Sequence, residues 1–189
     1  MKCNMKNEFQ ILADILSEPN ILKKVGHNSK QSIVETMCEQ ILQSEPDNFE
    51  ANKLLGEALL GQERYERALT YLKAAFLWDV EDPNLVHDIG YSYFKCAIEK
   101  GADSSLDVCD EGAKEYFANA AQFLESCVKD FPNDYDIQFM LGYSYFRLGD
   151  YDQSEKYLNA SLNNIDITMY RDEVVQLCRY KVNHLSPKI

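Results

Sequence analysis

The chain repeats a short motif, which reads IGYSYF at residues 89–94 and LGYSYF at residues 141–146. A weaker copy, LGEALL, lies at residues 55–60. The motif glycines Gly56 and Gly90 are 34 residues apart, whereas Gly90 and Gly142 are 52 apart, which is 34 plus an insertion of 18. A fixed period of this length indicates a protein built from repeated supersecondary units.

The residues that follow each motif also repeat. Large and small side chains recur with spacings of 3, 4 and 3, which is the stripe of an amphipathic helix. The three copies are Tyr65, Ala68, Leu72 and Ala75; Phe117, Ala120, Leu124 and Cys127; and Tyr151, Ser154, Leu158 and Ser161. Each unit is therefore predicted to be a hairpin of two helices, which must stack on its neighbours to bury its apolar face.

Prolines punctuate the units, because Pro46, Pro83 and Pro132 each lie seven or ten residues before a motif glycine, where a helix can begin without losing a hydrogen bond. With this spacing of small, large and proline positions, residues 46–165 resemble the tetratricopeptide-repeat (TPR) family. The resemblance implies an all-α solenoid of helical hairpins with three repeats. The chain departs from the family pattern at Asn52 and Gln138, where tryptophan is frequent, and in the insertion of repeat two.

Three regions are expected along the chain. Residues 1–45 are predicted to form an N-terminal helical arm (a helix over 5–25) and a degenerate leading repeat (a helix to about 43). Residues 46–166 form the three repeats, and residues 167–189 a C-terminal capping helix and tail. The insertion near 99–114 is rich in Gly, Ser and Asp, which favours an exposed loop, either a tolerated surface loop or a functional one.

Composition narrows the functional classes. The chain has 19 basic and 31 acidic residues, a net charge of −12, which disfavours nucleic acid and anionic membranes as partners. The absence of a long apolar run or a signal-like N-terminus predicts a soluble, cytoplasmic protein without direct membrane insertion. The six cysteines are scattered, which favours reduced thiols.

The sequence contains no motif that predicts catalysis. The three histidines, His27, His87 and His184, are far apart, and neither a phosphate-binding loop nor a nucleophile motif is present. We therefore expect no enzymatic activity, no metal and no cofactor, and an enzyme is the least favoured of three functional classes.

A peptide-binding groove is implied by the TPR resemblance, because the first helices of such repeats line a concave surface. Helical periodicity places positions −6, −3, +1 and +4 from each motif glycine on that surface. The candidate groove residues are Lys53, Glu57, Leu60, His87, Tyr91, Phe94, Phe139, Tyr143 and Phe146. The aromatic members either form an exposed apolar wall, which commonly marks a partner site, or are covered as additional core.

The partner expected for this groove is a hydrophobic peptide segment. An acidic rim around Glu50, Glu57 and Asp136 favours basic flanks and disfavours acidic ones. TPR domains that clamp a C-terminal carboxylate use several basic and amide groups. Lys53 matches one of these basic positions, whereas acidic residues and Met140 occupy the other positions. Binding of a C-terminal carboxylate is therefore disfavoured.

A narrower resemblance lies at residues 74–84, which read AAFLWDVEDPN and look like the junction between repeats two and three of type III secretion translocator chaperones. The resemblance implies a small acidic bacterial protein that keeps a membrane-active substrate soluble in its groove, with an N-terminal arm that often mediates homodimerisation. The alternative is a structural adaptor in a larger complex, docked through its convex face or through the loop at 101–112.

Overall fold

The computed structural model describes residues 27–101 and 110–161, and these contain α-helices and no strand. The helices are α1 (His27–Ser44), α2 (Phe49–Leu60), α3 (Tyr65–Phe76), α4 (Pro83–Lys100), α5 (Glu111–Cys127), α6 (Tyr135–Leu148) and α7 (Tyr151–Ser161). The all-α prediction is confirmed. The predicted helices at 5–25 and 168–184, and the centre of the insertion, lie outside the described residues.

The pairs α2–α3, α4–α5 and α6–α7 are the three predicted hairpins. The helices on either side of the insertion are lengthened, since α4 and α5 have 18 and 17 residues, whereas α2 and α3 have 12 each. The chain divides into two compact units, residues 1–80 and residues 81–189. None of the described helices is long and apolar enough to cross a membrane.

The first helix of every repeat begins at a capping residue eight positions before the motif glycine. Asn48 caps α2, Asp82 caps α4 and Asp134 caps α6, each with a side-chain oxygen that accepts from backbone N–H groups of the first turn. Such caps satisfy donors that have no partner within the helix. The repeat boundaries are therefore fixed by local chemistry.

Each motif glycine packs against a leucine of the second helix in the same hairpin. A Cβ on Gly56 would lie 2.5 Å from the Leu72 side chain, and one on Gly142 would lie 2.5 Å from Leu158 Cγ. Gly90 meets Leu124 in the same way, at 2.8 Å. The two helices approach so closely that no side chain fits between them, which explains the glycine at this position.

The departures from the family tryptophan share one structural role. The Asn52 amide donates to the Pro46 carbonyl oxygen at 2.9 Å, and the Gln138 amide donates to the Pro132 carbonyl oxygen at 2.9 Å. Each amide thus ties the start of its helix to the turn that precedes it. Repeat two has Val86 at this position and lacks the matching proline.

In the first unit, α1 packs on α2, and α2 on α3. Val34 and Cys38 of α1 are fully buried together with Leu55, Leu59 and Leu72. An ion-pair network also joins α1 to the α3 side of the hairpin. The Glu35 carboxylate accepts from Arg64 at 2.7 Å and from Arg67 at 3.0 Å.

In the second unit, α4 packs on α5, α5 on α6 and α6 on α7, and α4 also touches α6. Its core combines the first residues of the repeated motif, Ile89 and Leu141, with the stripe residues Phe117, Leu124 and Leu158, all nearly or fully buried. The contact between the first helices of repeats two and three positions the site described next.

Candidate functional site

A cleft of about 460 Å³ lies between α4 and α6 in the second unit. Four of its lining residues come from α4 and four from α6 with its cap. They are His87, Tyr91, Phe94, Lys95, Asp134, Asp136, Phe139 and Met140. The cleft is therefore formed by the first helices of two successive repeats.

Four of the eight residues that line this cleft have aromatic rings. His87 stacks on Tyr91 with their ring centroids 6.3 Å apart, and the edge of Phe131 approaches His87 at the same distance. His87, Tyr91 and Phe139 are all half-buried, so each keeps part of its surface accessible. Lys95 places its ammonium 5.8 Å from the centroid of Tyr91.

The polar side of the cleft is acidic. Asp136 is exposed, and Asp134 caps α6 by accepting from the backbone N–H groups of Asp136 at 2.9 Å and of Ile137 at 3.1 Å. Asp88 lies beside the cleft, with its carboxylate 3.1 Å from His87 Nδ1. Negative charge therefore gathers where α4 faces the start of α6.

A cluster of buried aromatic side chains lies behind the cleft. Phe94 packs edge-on against Phe117 and Tyr143, with centroid distances of 6.2 and 5.9 Å. Tyr143 also contacts Phe146, at 6.4 Å, and Phe139, at 6.1 Å. Phe94 is 8 % exposed, and Tyr143 and Phe146 are each 3 % exposed.

An arginine is enclosed in the same cluster. The Arg147 guanidinium lies 5.3 Å from the Phe117 centroid and 5.9 Å from the Tyr143 centroid, and it donates to the Tyr143 hydroxyl at 3.2 Å. Planar guanidinium groups favour the faces of aromatic rings. The arginine thus packs as part of the aromatic cluster.

The sequence left open whether the aromatic candidates form an exposed wall or additional core, and their burial differs from residue to residue. Tyr91 and Phe139 keep accessible surface, whereas Phe94, Tyr143 and Phe146 belong chiefly to the core. The physical reason is that α5 supplies Phe117, and the first residue of α7 supplies the ring of Tyr151, whose centroid lies 6.0 Å from that of Phe146.

The remaining candidate residues lie on α2 in the first unit. Lys53, Glu57 and Leu60 are half-buried, and the Lys53 ammonium lies 6.0 Å from the Phe49 ring centroid. Three residues that line the cleft, Lys95, Asp134 and Met140, were not predicted from the sequence as groove or rim residues. Lys95 lies one helical turn after Tyr91, so periodicity could have found it, whereas Asp134 precedes the first turn of α6.

Over 27–101 and 110–161, no group of three or more His, Cys, Asp or Glu side chains could hold a metal ion. Cys38, Cys96 and Cys127 are free thiols, and all three are buried. Burial raises the pKa of Cys38 and of Cys127 to about 11, so both remain protonated at neutral pH.

The family of the chain follows from its sequence match. A tetratricopeptide-repeat family model matches residues 35–89 and 113–165, more than half of the chain. The chain belongs to the tetratricopeptide-repeat family. The two matched stretches flank the insertion of repeat two. TPR domains are protein-interaction scaffolds, so this chain is a protein-interaction module.

Solved structures support the same fold. One, described as "MamA RS-1 ArsTM double mutant", shares 12 % identity at a TM-score of 0.67, with 93 % of this chain and 85 % of that chain covered. Another, "MamA MSR-1 C2", shares 14 % identity at a TM-score of 0.66, covering 92 % and 87 %. At such low identity the likeness establishes the fold alone. No curated protein sequence matches the chain.

Proposed function

We propose that the cleft between α4 and α6 binds a hydrophobic segment of a partner polypeptide. The observation that supports this most is the combination of partly accessible aromatic rings and a cleft of about 460 Å³ at the contact between the first helices of repeats two and three. Concave sites lined by aromatic groups with a few polar groups are typical of ligand pockets.

The buried aromatic cluster gives this cleft a rigid floor. Tyr91 stacks on His87, and Phe139 contacts the buried Tyr143, so the accessible rings are held by their neighbours. A preorganised site loses little conformational entropy when it binds. Burying one large apolar side chain of the partner contributes about 1.5–3 kcal/mol, so a few such contacts dominate the binding free energy.

The experiment is affinity capture of the tagged protein from its native cell, followed by calorimetry with the captured partner. Tyr91→Ala and Phe139→Ala should each weaken binding about tenfold or more, because each removes more than about 1.4 kcal/mol of contact energy. Tyr145→Ala is the matched control, since Tyr145 is a half-buried tyrosine of α6 that stacks on Tyr157, with centroids 5.9 Å apart. The proposal would be wrong if the partner bound all three variants with equal affinity.

A secretion chaperone is the specific form of this function that residues 74–84 suggest. Such a chaperone would hold a membrane-active segment in the cytoplasm and keep it soluble, and the N-terminal arm would form a homodimer. Co-expression tests the chaperone role: the captured partner should be soluble with the wild-type protein and aggregate with Tyr91→Ala/Phe139→Ala. A partner that is soluble alone would exclude it.

The alternative, a structural adaptor, is favoured by a different surface. Leu77, Trp78 and Val80, which follow α3, are 81 %, 65 % and 59 % exposed. Exposed apolar groups of this size often contact other proteins. A Leu77→Ser/Trp78→Ser variant that loses the captured partner, while Tyr91→Ala/Phe139→Ala retains it, would favour the adaptor.

A further inference from the structure

The cleft between α4 and α6 combines aromatic rings with carboxylates, which a purely apolar ligand does not use. Two aspartates, Asp134 and Asp136, line it together with one lysine, Lys95. The lining therefore has an excess of negative charge at neutral pH. Asp88 adds a further carboxylate beside His87.

Cations in the second unit repeatedly rest on aromatic faces. Within its described residues, four of the six basic side chains lie over a ring, at 4.7–5.8 Å from the nearest described centroid. The pairs are Lys95 on Tyr91, Lys100 on Tyr116, Arg147 on Phe117 and Lys156 on Tyr157. The Tyr91 ring of the cleft thus already attracts a cation.

The described part of the second unit also carries a net negative charge. Residues 81–101 and 110–161 contain fourteen acidic and six basic side chains. Burial raises the pKa of Cys127, at the end of α5, and the charges of Asp130, Asp88 and Asp134 raise it further. Of these carboxylates, Asp134 lines the cleft and Asp88 lies beside His87, so both also favour a cation in the cleft.

On this basis we propose that the cleft contains a subsite for one arginine side chain of the bound segment. The guanidinium lies against the rings of His87, Tyr91 and Phe139, and its N–H groups donate to the Asp136 carboxylate. Arginine suits this site better than lysine, because its planar group stacks on rings and presents several donors to a carboxylate. The inference rests on the proposed function and adds the chemistry of one position in the ligand.

Selection from a displayed library of random peptides tests two claims separately: that the cleft binds a peptide, and that it contains an arginine subsite. Enrichment of peptides with a conserved arginine beside large apolar residues is expected on the wild-type protein. Apolar peptides without a conserved basic residue would overturn the arginine subsite and leave the cleft function intact. No enrichment, or enrichment that persists on Tyr91→Ala/Phe139→Ala, would overturn the cleft itself.

An enriched peptide then gives the quantitative test. Replacing its arginine by citrulline, which has the same shape without the charge, should weaken binding about tenfold. Asp136→Asn should remove that difference, whereas Asp152→Asn, an exposed aspartate of α7, should preserve it. Lys95→Met should strengthen binding of the arginine peptide alone, because it removes the resident cation. Equal affinity of both peptides for the wild-type protein would refute the subsite.

Discussion

The packing of glycine against leucine inside each hairpin predicts a graded response to an added methyl group. In Gly142→Ala the new Cβ would lie 2.5 Å from Leu158 Cγ and 2.9 Å from the Leu158 backbone nitrogen. In Gly90→Ala it would lie 2.8 Å from Leu124 Cγ but 3.3 Å from the Leu124 nitrogen. A side chain can change its rotamer, whereas the backbone of a packed helix cannot move alone. Gly142→Ala should therefore be the more destabilising change.

The magnitude follows from two opposing effects. Overpacking a core costs about 1–3 kcal/mol, and replacing glycine by alanine within a helix gains about 1 kcal/mol of helix propensity. Because Gly142→Ala meets a backbone atom, its overpacking cost should lie at the upper end of this range, and the free energy of unfolding should fall by about 2 kcal/mol. Gly90→Ala meets chiefly side-chain atoms, and the free energy of unfolding should fall by less than about 1 kcal/mol. Chemical denaturation followed by circular dichroism measures both values.

Double-mutant cycles provide the control for this reasoning. Leu124→Ala should offset the cost of Gly90→Ala, with a coupling energy of at least about 0.5 kcal/mol, because it removes the clashing atoms. Leu158→Ala should offset Gly142→Ala only in part, because the backbone nitrogen stays in place. If Gly90→Ala and Gly142→Ala both left the free energy of unfolding unchanged, and neither was coupled to its leucine, the close packing of the hairpins would be refuted.

Three further predictions concern other contacts. Glu35→Gln should lower the free energy of unfolding by about 1 kcal/mol at low salt and by less at high salt, in matched denaturations; a salt-independent loss would exclude the ion pairs as its cause. Asn52→Ala should cost about 1 kcal/mol and raise hydrogen exchange in the first turn of α2, since the Pro46 carbonyl loses its donor; unchanged exchange would contradict this. The raised pKa values of Cys38 and Cys127 mean that the unfolded chain ionises first, so the free energy of unfolding should fall by about 1.4 kcal/mol per thiol between about pH 8 and about pH 10. The Cys38→Ala/Cys127→Ala variant should flatten this pH dependence, and an identical slope would contradict the assignment.

Much of the fold could be predicted because the glycine and leucine that contact each other in a hairpin recur at a regular separation along the chain. The distance from Gly56 to Leu72 is 16 residues, as it is from Gly142 to Leu158, and in repeat two it becomes 34 through the insertion. The structure pairs these same residues. Their spacing reflects direct contact between neighbouring helices, so it was visible in the sequence.

The site was harder to predict, because periodicity gives the face of a helix but not what covers that face. Helical periodicity places Phe94 on the same face of α4 as Tyr91, and Phe146 on the same face of α6 as Phe139. Contacts with Phe117 and Tyr151 nevertheless help to bury Phe94 and Phe146, respectively. Those contacts come from other helices, and their distance is set by packing. Phe94→Ala and Phe146→Ala would therefore disturb the core rather than a binding surface alone.

Site-specific photo-crosslinking tests the central claim most directly. Benzoylphenylalanine at Tyr91 or Phe139 places the reactive group in the cleft between α4 and α6, whereas the same group at Tyr145 or Trp78 places it elsewhere. With the captured partner bound, the account predicts crosslinks from Tyr91 and Phe139 to one hydrophobic segment and none from Tyr145. Crosslinks from Trp78 or Tyr145, with none from the two cleft positions, would contradict it.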